Sequence, residues 1–232
     1  MSILILRLEG PLQSWGEHSI FFQEGDTATM PTRSGVVGLL ACALGIPKEA
    51  TKEIVALSEA LEIGVRADRS GRIRIDFQTV HAYRLQTGNH GARDPEASVL
   101  VSHKRYLEDA AFTVVLSSKE EGLIERLRDA LLHPVWSIFL GRKSCVPTRP
   151  VYDGLLEGDD LLQALKTIPL IELRPGEAPT KTVTVELEAE APHANIYLRN
   201  DIPTPRSRYF YSRSVHRFQI PTPIGGAQLV SQ

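Results

Sequence analysis

Apolar and polar positions along the chain fall into short segments of two different periods. Ile3 to Glu9 is rich in β-formers and predicts a first strand, ended by Gly10-Pro11. Residues 10–32 follow as a loop with Trp15, Phe21 and Phe22 as apolar anchors. From Ser34 a run of small and apolar residues predicts a helix that stops at Gly45 and Pro47, with a second helix over Lys48 to Ala60. Leu61 to Ala67 and Arg72 to Val80 predict two strands joined as a hairpin at Asp68-Arg69-Ser70-Gly71. In the second of these, Ile73, Ile75 and Phe77 alternate with Arg74, Asp76 and Gln78, so one face is expected to pack while the other meets solvent or ligand. Ala111 to Leu116 predicts a buried strand. Lys119 to Leu132 predicts an amphipathic helix with Leu123, Leu127 and Leu131 on one face, ended by Pro134. Beyond residue 150 the pattern gives a short helix (Asp160 to Lys166), strands at Ile168 to Leu173 and Thr182 to Ala189, and a Pro- and Arg-rich tail.

This order, β-α-α-β-β-loop-β-α, predicts an α+β fold close to a ferredoxin-like βαββαβ core with an excursion from its middle hairpin. The excursion is residues 81–103, which have no apolar period and are rich in Gly, His, Asn, Asp and Arg. A patternless stretch of that length inside a compact domain is usually functional or disordered.

Composition excludes some classes. With 42% hydrophobic and 23% charged residues, the 232-residue chain is long and apolar enough for a real core. Cys42 and Cys145 are too few for a disulfide framework, and the seven histidines fall in no HxH, HxxxH or HExxH arrangement, so neither a metal nor another cofactor is expected. The opening residues do not read as a leader peptide, and no apolar run reaches about 18 residues, so a cytoplasmic protein without a membrane span is expected.

The net charge of −2 argues against a protein that coats nucleic acid, but the mean hides a segregation. Sixteen of the 26 cations lie in residues 66–106, 133–152 and 197–217, whereas 157–190 is acidic; nineteen of the 26 are arginines. Arginine offers a planar fork suited to phosphates and to stacking. Two readings stand: a one-sided footprint for a phosphate backbone, or a solvated surface with chance clustering.

Several motifs carry candidate chemistry. Pro31-Thr32-Arg33-Ser34-Gly35 leads into a helix, where orphan N–H groups, the Ser34 hydroxyl and the Arg33 guanidinium could hold a phosphate; equally, Ser34 could simply cap the helix. Gly141-Arg142-Lys143-Ser144 lacks the upstream glycine and the flanking strand and helix of a P-loop, and reads as a basic loop against a nucleic-acid backbone. His103-Lys104-Arg105-Tyr106 and His81-Ala82-Tyr83-Arg84 contain the residue types for metal-independent RNA cleavage, and equally those of a non-catalytic RNA clamp. Tyr209-Phe210-Tyr211, between Arg208 and Arg213, suits base stacking with phosphate pairing, or else an edge strand packing aromatics on a core.

Five segments taken together carry a resemblance. They are Gly10-Pro11-Leu12-Gln13-Ser14-Trp15-Gly16, Pro31 to Leu40, Thr79 to Arg84, Lys104 to Val114, and Phe139 to Cys145 with Pro147-Thr148. In this order and spacing the chain resembles the type I-E branch of the Cas-five family of CRISPR-associated proteins, strongly over residues 1–150 and loosely beyond. The resemblance implies a ferredoxin-like RNA-recognition core (1–76 and 107–150), an inserted β-hairpin thumb (77–106) and a small β-rich C-terminal part (151–232). It also implies a non-catalytic subunit that holds the 5′ handle of the CRISPR RNA at one end of the Cascade backbone. Such a subunit touches the backbone subunit and the large subunit and meets target DNA only through the assembly. RNA-binding residues are then expected at Gln13, Trp15, Arg33, Ser34, His81, Tyr83, Arg84, His103, Lys104, Arg105, Arg142, Lys143, Arg206, Arg208, Arg213 and Arg217. Type I-C relatives cut precursor RNA themselves, which makes a nuclease with Tyr83, His103 and Lys104 the alternative.

Overall fold

The computed structural model describes residues 2–16, 24–81, 99–171, 180–188, 196–206 and 209–223. Ser2–Glu9 forms β1. Its run Ile3-Leu4-Ile5-Leu6 is apolar at successive positions because the sheet it joins is covered on both faces there. Leu4, Leu6 and Leu8 enter one core, while Ile3 and Ile5 enter another. β7 (Ala111–Ser117), buried at every position, pairs antiparallel with β1, placing Leu6 opposite Val114. β4 (Glu62–Arg69) lies beyond β7, and β8 (Tyr152–Glu157) lies along the other side of β1, again antiparallel. Helices α1 (Arg33–Leu44) and α2 (Thr51–Glu59) connect β1 to β4, and α3 (Leu123–Leu132) connects β7 to β8. Val36, Val37 and Leu40 of α1 meet Leu123, Leu127 and Leu131 of α3 in the first core. Burying each such side chain stabilises the fold by about 1.5–3 kcal/mol relative to leaving it exposed.

The C-terminal strands continue this sheet. β9 (Thr182–Glu188) pairs with β4 through Val65, Arg66 and Ala67. β11 (Phe210–Pro221) follows β9, and β10 (Ile196–Pro203) closes the edge, giving the order β10-β11-β9-β4-β7-β1-β8. α4 (Leu161–Thr167) covers the second face, with Ala164 and Leu165 against Ile3, Ile5, Val115 and Val185. No helix among the described residues is long and apolar enough to cross a membrane.

Three sequence expectations are corrected. β4 does not form a hairpin with the next strand: β5 (Arg72–His81) pairs with β6 (Val99–Glu108), from Arg72 opposite Glu108 to His81 opposite Val99. This ribbon belongs to a second sheet, in which the short strands β2 (Leu12–Gln13) and β3 (Glu24–Gly25) line the other side of β6. The turn at Ser70-Gly71 therefore carries the chain from one sheet to the other. Second, the alternating apolar face of β5 is not packed: Ile73, Ile75 and Phe77 are 53%, 59% and 61% exposed. Third, of the strand expected at Ile168 to Leu173, residues 172–173 lie outside the described residues, and Ile168 to Ile171 is not a strand, because side chains take its backbone groups. Arg66 donates to the carbonyls of Ile168 (2.7 Å), Pro169 (3.0 Å) and Leu165, while Asp68 accepts from the Ile171 N–H at 3.0 Å.

Candidate nucleic-acid interface

The root of the β5–β6 ribbon gathers the cations expected from separate parts of the chain. β3 runs parallel to β6 with Gly25 opposite Lys104, so residues 24–26 lie against the ribbon. Arg105 reaches the Asp26 carboxylate at 3.6 Å, and Arg142 donates to the Asp26 carbonyl at 3.3 Å. A Cβ on Gly25 would fall 2.5 Å from an Arg142 nitrogen and 2.8 Å from the Lys104 side chain, so both pass close over this glycine. The Arg142 guanidinium lies over the Tyr106 ring, 4.7 Å from its centroid. Lys104 and Tyr106 share one face of β6 by the period-two alternation of a strand, a signal present in the sequence although Tyr106 was not among the expected site residues. Arg105 and Arg142 thus meet at Asp26, while Lys104 passes over Gly25 and lies opposite Asp76 of β5. The Arg142 Nη1 is buried with no hydrogen-bond partner among the described residues.

The loop carrying Arg142 is pinned from below. The Ser14 N–H donates to Leu140 O at 3.0 Å, and the Cys145 N–H donates to Arg142 O at 2.8 Å. Gly141 is obligatory here: its φ is 86°, and a Cβ would lie 1.6 Å from Ser14 O. Lys143, exposed on the same loop, faces Ser34 across a groove of about 990 Å³ that is also lined by Gly35, Gly38, Trp136 and Phe139.

Gln13, Trp15 and Arg33 lie inside the fold, where they shape the site without lining it. The Gln13 amide donates to the carbonyls of Leu8 (3.0 Å) and Ala110 (2.8 Å), and its Oε1 accepts from Trp15 Nε1 at 2.9 Å. Trp15 packs so closely under α1 that a Cβ on Gly35 would come within 2.7 Å of its ring. Arg33 donates to Ser58 Oγ (2.9 Å), Leu61 O (2.7 Å), Ser58 O and Glu188. Burial pushes its guanidinium below the ordinary arginine value, partly offset by Glu188. Thr32, not Ser34, caps α1, its Oγ1 accepting from Gly35 N–H at 3.1 Å. The Arg33 N–H at that helix start, where a phosphate was expected, is taken by Asp201 Oδ2 at 2.7 Å.

The C-terminal arginines also meet carboxylates of this chain. Arg213 holds Asp201 at 2.7 and 3.0 Å and lies 3.6 Å from Glu188. Arg217 holds Glu186 at 2.7 and 3.1 Å and stacks on Tyr197 at 5.3 Å, while Arg199 takes the other Glu186 oxygen at 2.6 Å. Glu186, from the acidic stretch 157–190, is buried among these arginines. Arg206 is exposed. His103, also exposed, meets the Phe77 ring edge-on at 5.4 Å. Tyr83, Arg84, Arg208 and the His81 side chain lie outside the described residues. Among those described, no group of three or more His, Cys, Asp or Glu side chains is placed to share a metal ion.

An antiparallel α+β fold with a long ribbon and cations at its root defines a class of candidate nucleic-acid binders. Comparison with known proteins gives the family: the chain matches "CRISPR-associated protein (Cas_Cas5)" over residues 3–220 and belongs to the Cas5 family. It is 37% identical over 174 residues to the CRISPR system Cascade subunit CasD of Escherichia coli (strain K12), covering 71% of this chain and 75% of that protein. It superposes with a TM-score of 0.75 on a chain of a solved CRISPR RNA-guided surveillance complex, at 30% identity, covering 96% of this chain and 91% of the other. A crystal structure of a Cas protein matches with a TM-score of 0.67 at 35% identity, covering 95% of each chain.

Proposed function

We propose that this chain is the non-catalytic RNA-binding subunit of a type I-E Cascade surveillance complex, holding the 5′ handle of the CRISPR RNA and capping one end of the backbone. It would touch the backbone subunit and the large subunit, and reach target DNA only through the assembly. The observation that carries the reading is the convergence of Lys104, Arg105 and Arg142 on residues 25–26, with the Arg142 Nη1 buried and unpartnered. A buried charged donor without an acceptor costs more than the roughly 1–3 kcal/mol of a neutral one; that nitrogen is itself closed to solvent, and an incoming phosphate would meet the exposed Arg105 and the half-buried Lys104 beside it. The strand order β8-β1-β7-β4, with helices after the first and third strands in chain order, supports a ferredoxin-like core, and its fourth strand, β8 at Tyr152–Glu157, carries that core past the boundary at 150 expected from the sequence. Residues 77–106 then form the thumb, and the residues after β8 form the C-terminal part. The edge-on packing of His103 on Phe77 suits a clamp, with Lys143 and Ser34 at the groove as further contacts.

The test is a binding isotherm of the full chain on single-stranded repeat RNA across a salt series. For the triple variant Lys104→Ala/Arg105→Ala/Arg142→Ala, the log–log salt slope is expected to flatten by about 0.7 for each phosphate that is no longer neutralised. An unchanged slope sinks the reading. Handle-length products formed in EDTA by the wild type, and absent with His103→Ala, would replace it with the nuclease.

A further inference from the structure

We infer that the tip of the β10–β11 hairpin is a second RNA contact, a base-stacking platform made by Tyr209 and Tyr211 with Phe210 behind them. This rests on the RNA-binding reading above and adds a site of different chemistry. The three aromatics are consecutive, and none is packed into a core: they are 65%, 43% and 65% exposed. That removes the alternative of an edge strand laying its rings on an interior. The tip is nonetheless a built structure. Phe210 lies opposite Pro203 and Tyr211 opposite Ile202, and the Tyr209 N–H donates to Arg206 O at 3.2 Å. The Thr204 hydroxyl lies 3.0 Å from both the Arg206 and the Tyr209 carbonyl oxygens and accepts from the Arg206 N–H at 3.2 Å.

Charge selects the partner. The hairpin's one acid, Asp201, is enclosed and neutralised by Arg213, so the tip presents the exposed Arg206 beside its aromatics and no competing carboxylate. Phe210 and Tyr211 also project from opposite faces of β11. Tyr211 therefore offers its ring without Phe210 beside it, and a flexible single strand can lay a base on it there. The tip is tied to the basic cluster as well. Residues 24–33 start against Lys104 on β6 and end at β10, where Arg199 donates to Met30 O at 3.2 Å and Asp201 accepts from the Arg33 N–H. Phosphates held at the first end leave bases to be stacked toward the second.

The test compares the full-length wild type with Tyr209→Leu/Tyr211→Leu and Tyr209→Phe/Tyr211→Phe, using a fluorescein-labelled eight-nucleotide single-stranded RNA of mixed sequence. Melting curves establish that both variants fold. Leucine keeps apolar area without a π-face, so its variant should bind about 5- to 150-fold more weakly for each base stacked, while the phenylalanine variant stays near wild type. Wild-type affinity in the leucine variant overturns the platform but leaves the basic-cluster reading intact if the Lys104/Arg105/Arg142 variant still loses affinity. Equal loss in the phenylalanine variant means a hydroxyl contact and also overturns it. Leucine binding RNA normally but failing to enter the assembled complex would make the tip a protein contact. Absence of RNA binding by the wild type overturns both readings.

Discussion

The Asp201 carboxylate fills the place a phosphate would take at the start of α1. It receives the Arg33 N–H and both arms of Arg213, and Arg199 lies 3.9 Å away. Burial alone would push its pKa up, but the hydrogen bonds and charge of Arg213, the Arg33 N–H and Arg199 together outweigh that and hold it below the ordinary carboxylate value. Asp201→Asn removes the carboxylate that the Arg213 and Arg199 guanidiniums share and should cost about 3–5 kcal/mol in urea unfolding. Because the folded pKa is depressed, the contribution is fully present above the unfolded value and is lost as pH falls through the folded one. The advantage of wild type over Asp201→Asn should therefore hold constant from pH 7 to 5 and shrink only below about pH 4. A gap that closes already near pH 6 would show that another group carries the effect.

The β5–β6 ribbon combines a packed root with an unpacked arm, and one pair of variants separates them. Leu107, opposite Ile73, is buried, so Leu107→Ala should cost about 2–5 kcal/mol. Ile75→Thr, two residues further along the arm, should stay within about 0.5 kcal/mol in the same urea titration. A large loss for Ile75→Thr would place that side chain in a core. This contrast marks where the sequence was legible. The strands at 2–9 and 111–117 and the helices at 33–44 and 123–132 follow from the hydrophobic pattern, because each helix buries a stripe in one core and each strand is buried between two. Period says nothing about which strand is the neighbour, so β4 and β5 read as one hairpin although they enter different sheets. Nor does alternation at Ile73, Ile75 and Phe77 reveal whether anything covers that face. The site was legible in the same uneven way. Lys104, Arg105 and Arg142 could be named as cations, but their meeting at Gly25 and Asp26 depends on a parallel pairing of two residues that no pattern announces. Arg213 and Arg217 looked available for phosphates because Glu186 and Asp201, which hold them, are visible as partners only once β9, β10 and β11 lie side by side.

At the scale of the whole molecule, the formal charge near zero arises because many of the arginines serve the interior. Two networks do this, one on each face of the sheet, both buried except at Glu188 and Arg217 on the rim of the second. On the α4 face Arg7 binds Asp153 at 2.7 Å and Asp68 at 3.0 Å, while Arg66 shares Asp68 and ties down the carbonyls of residues 165–169. On the other, Arg33, Arg199, Arg213 and Arg217 bind Glu186, Glu188 and Asp201, joining α1 to the last three strands. Buried ion pairs add little net stability compared with apolar packing, yet losing either partner is costly, so such networks penalise partial opening. The backbone junction they reinforce is short, since β9 meets β4 at three residue pairs. Val183, Val185 and Ile220 add apolar packing across it, against Ile3, Ile5 and Val115. Peeling β9–β11 away would strand Arg33 and expose the second core together, which predicts that the C-terminal strands do not open alone. Native-state hydrogen exchange in rising urea should show amides of β9 and β11 merging with those of β1 and β7 at one common opening free energy. Replacing Arg33 by Met, which removes the charge and keeps the bulk, should weaken that coupling, so that β9 and β11 exchange at lower urea than β1. Separate opening already in the wild type would mean that the three-pair junction, not the networks and shared core, sets the boundary of cooperativity.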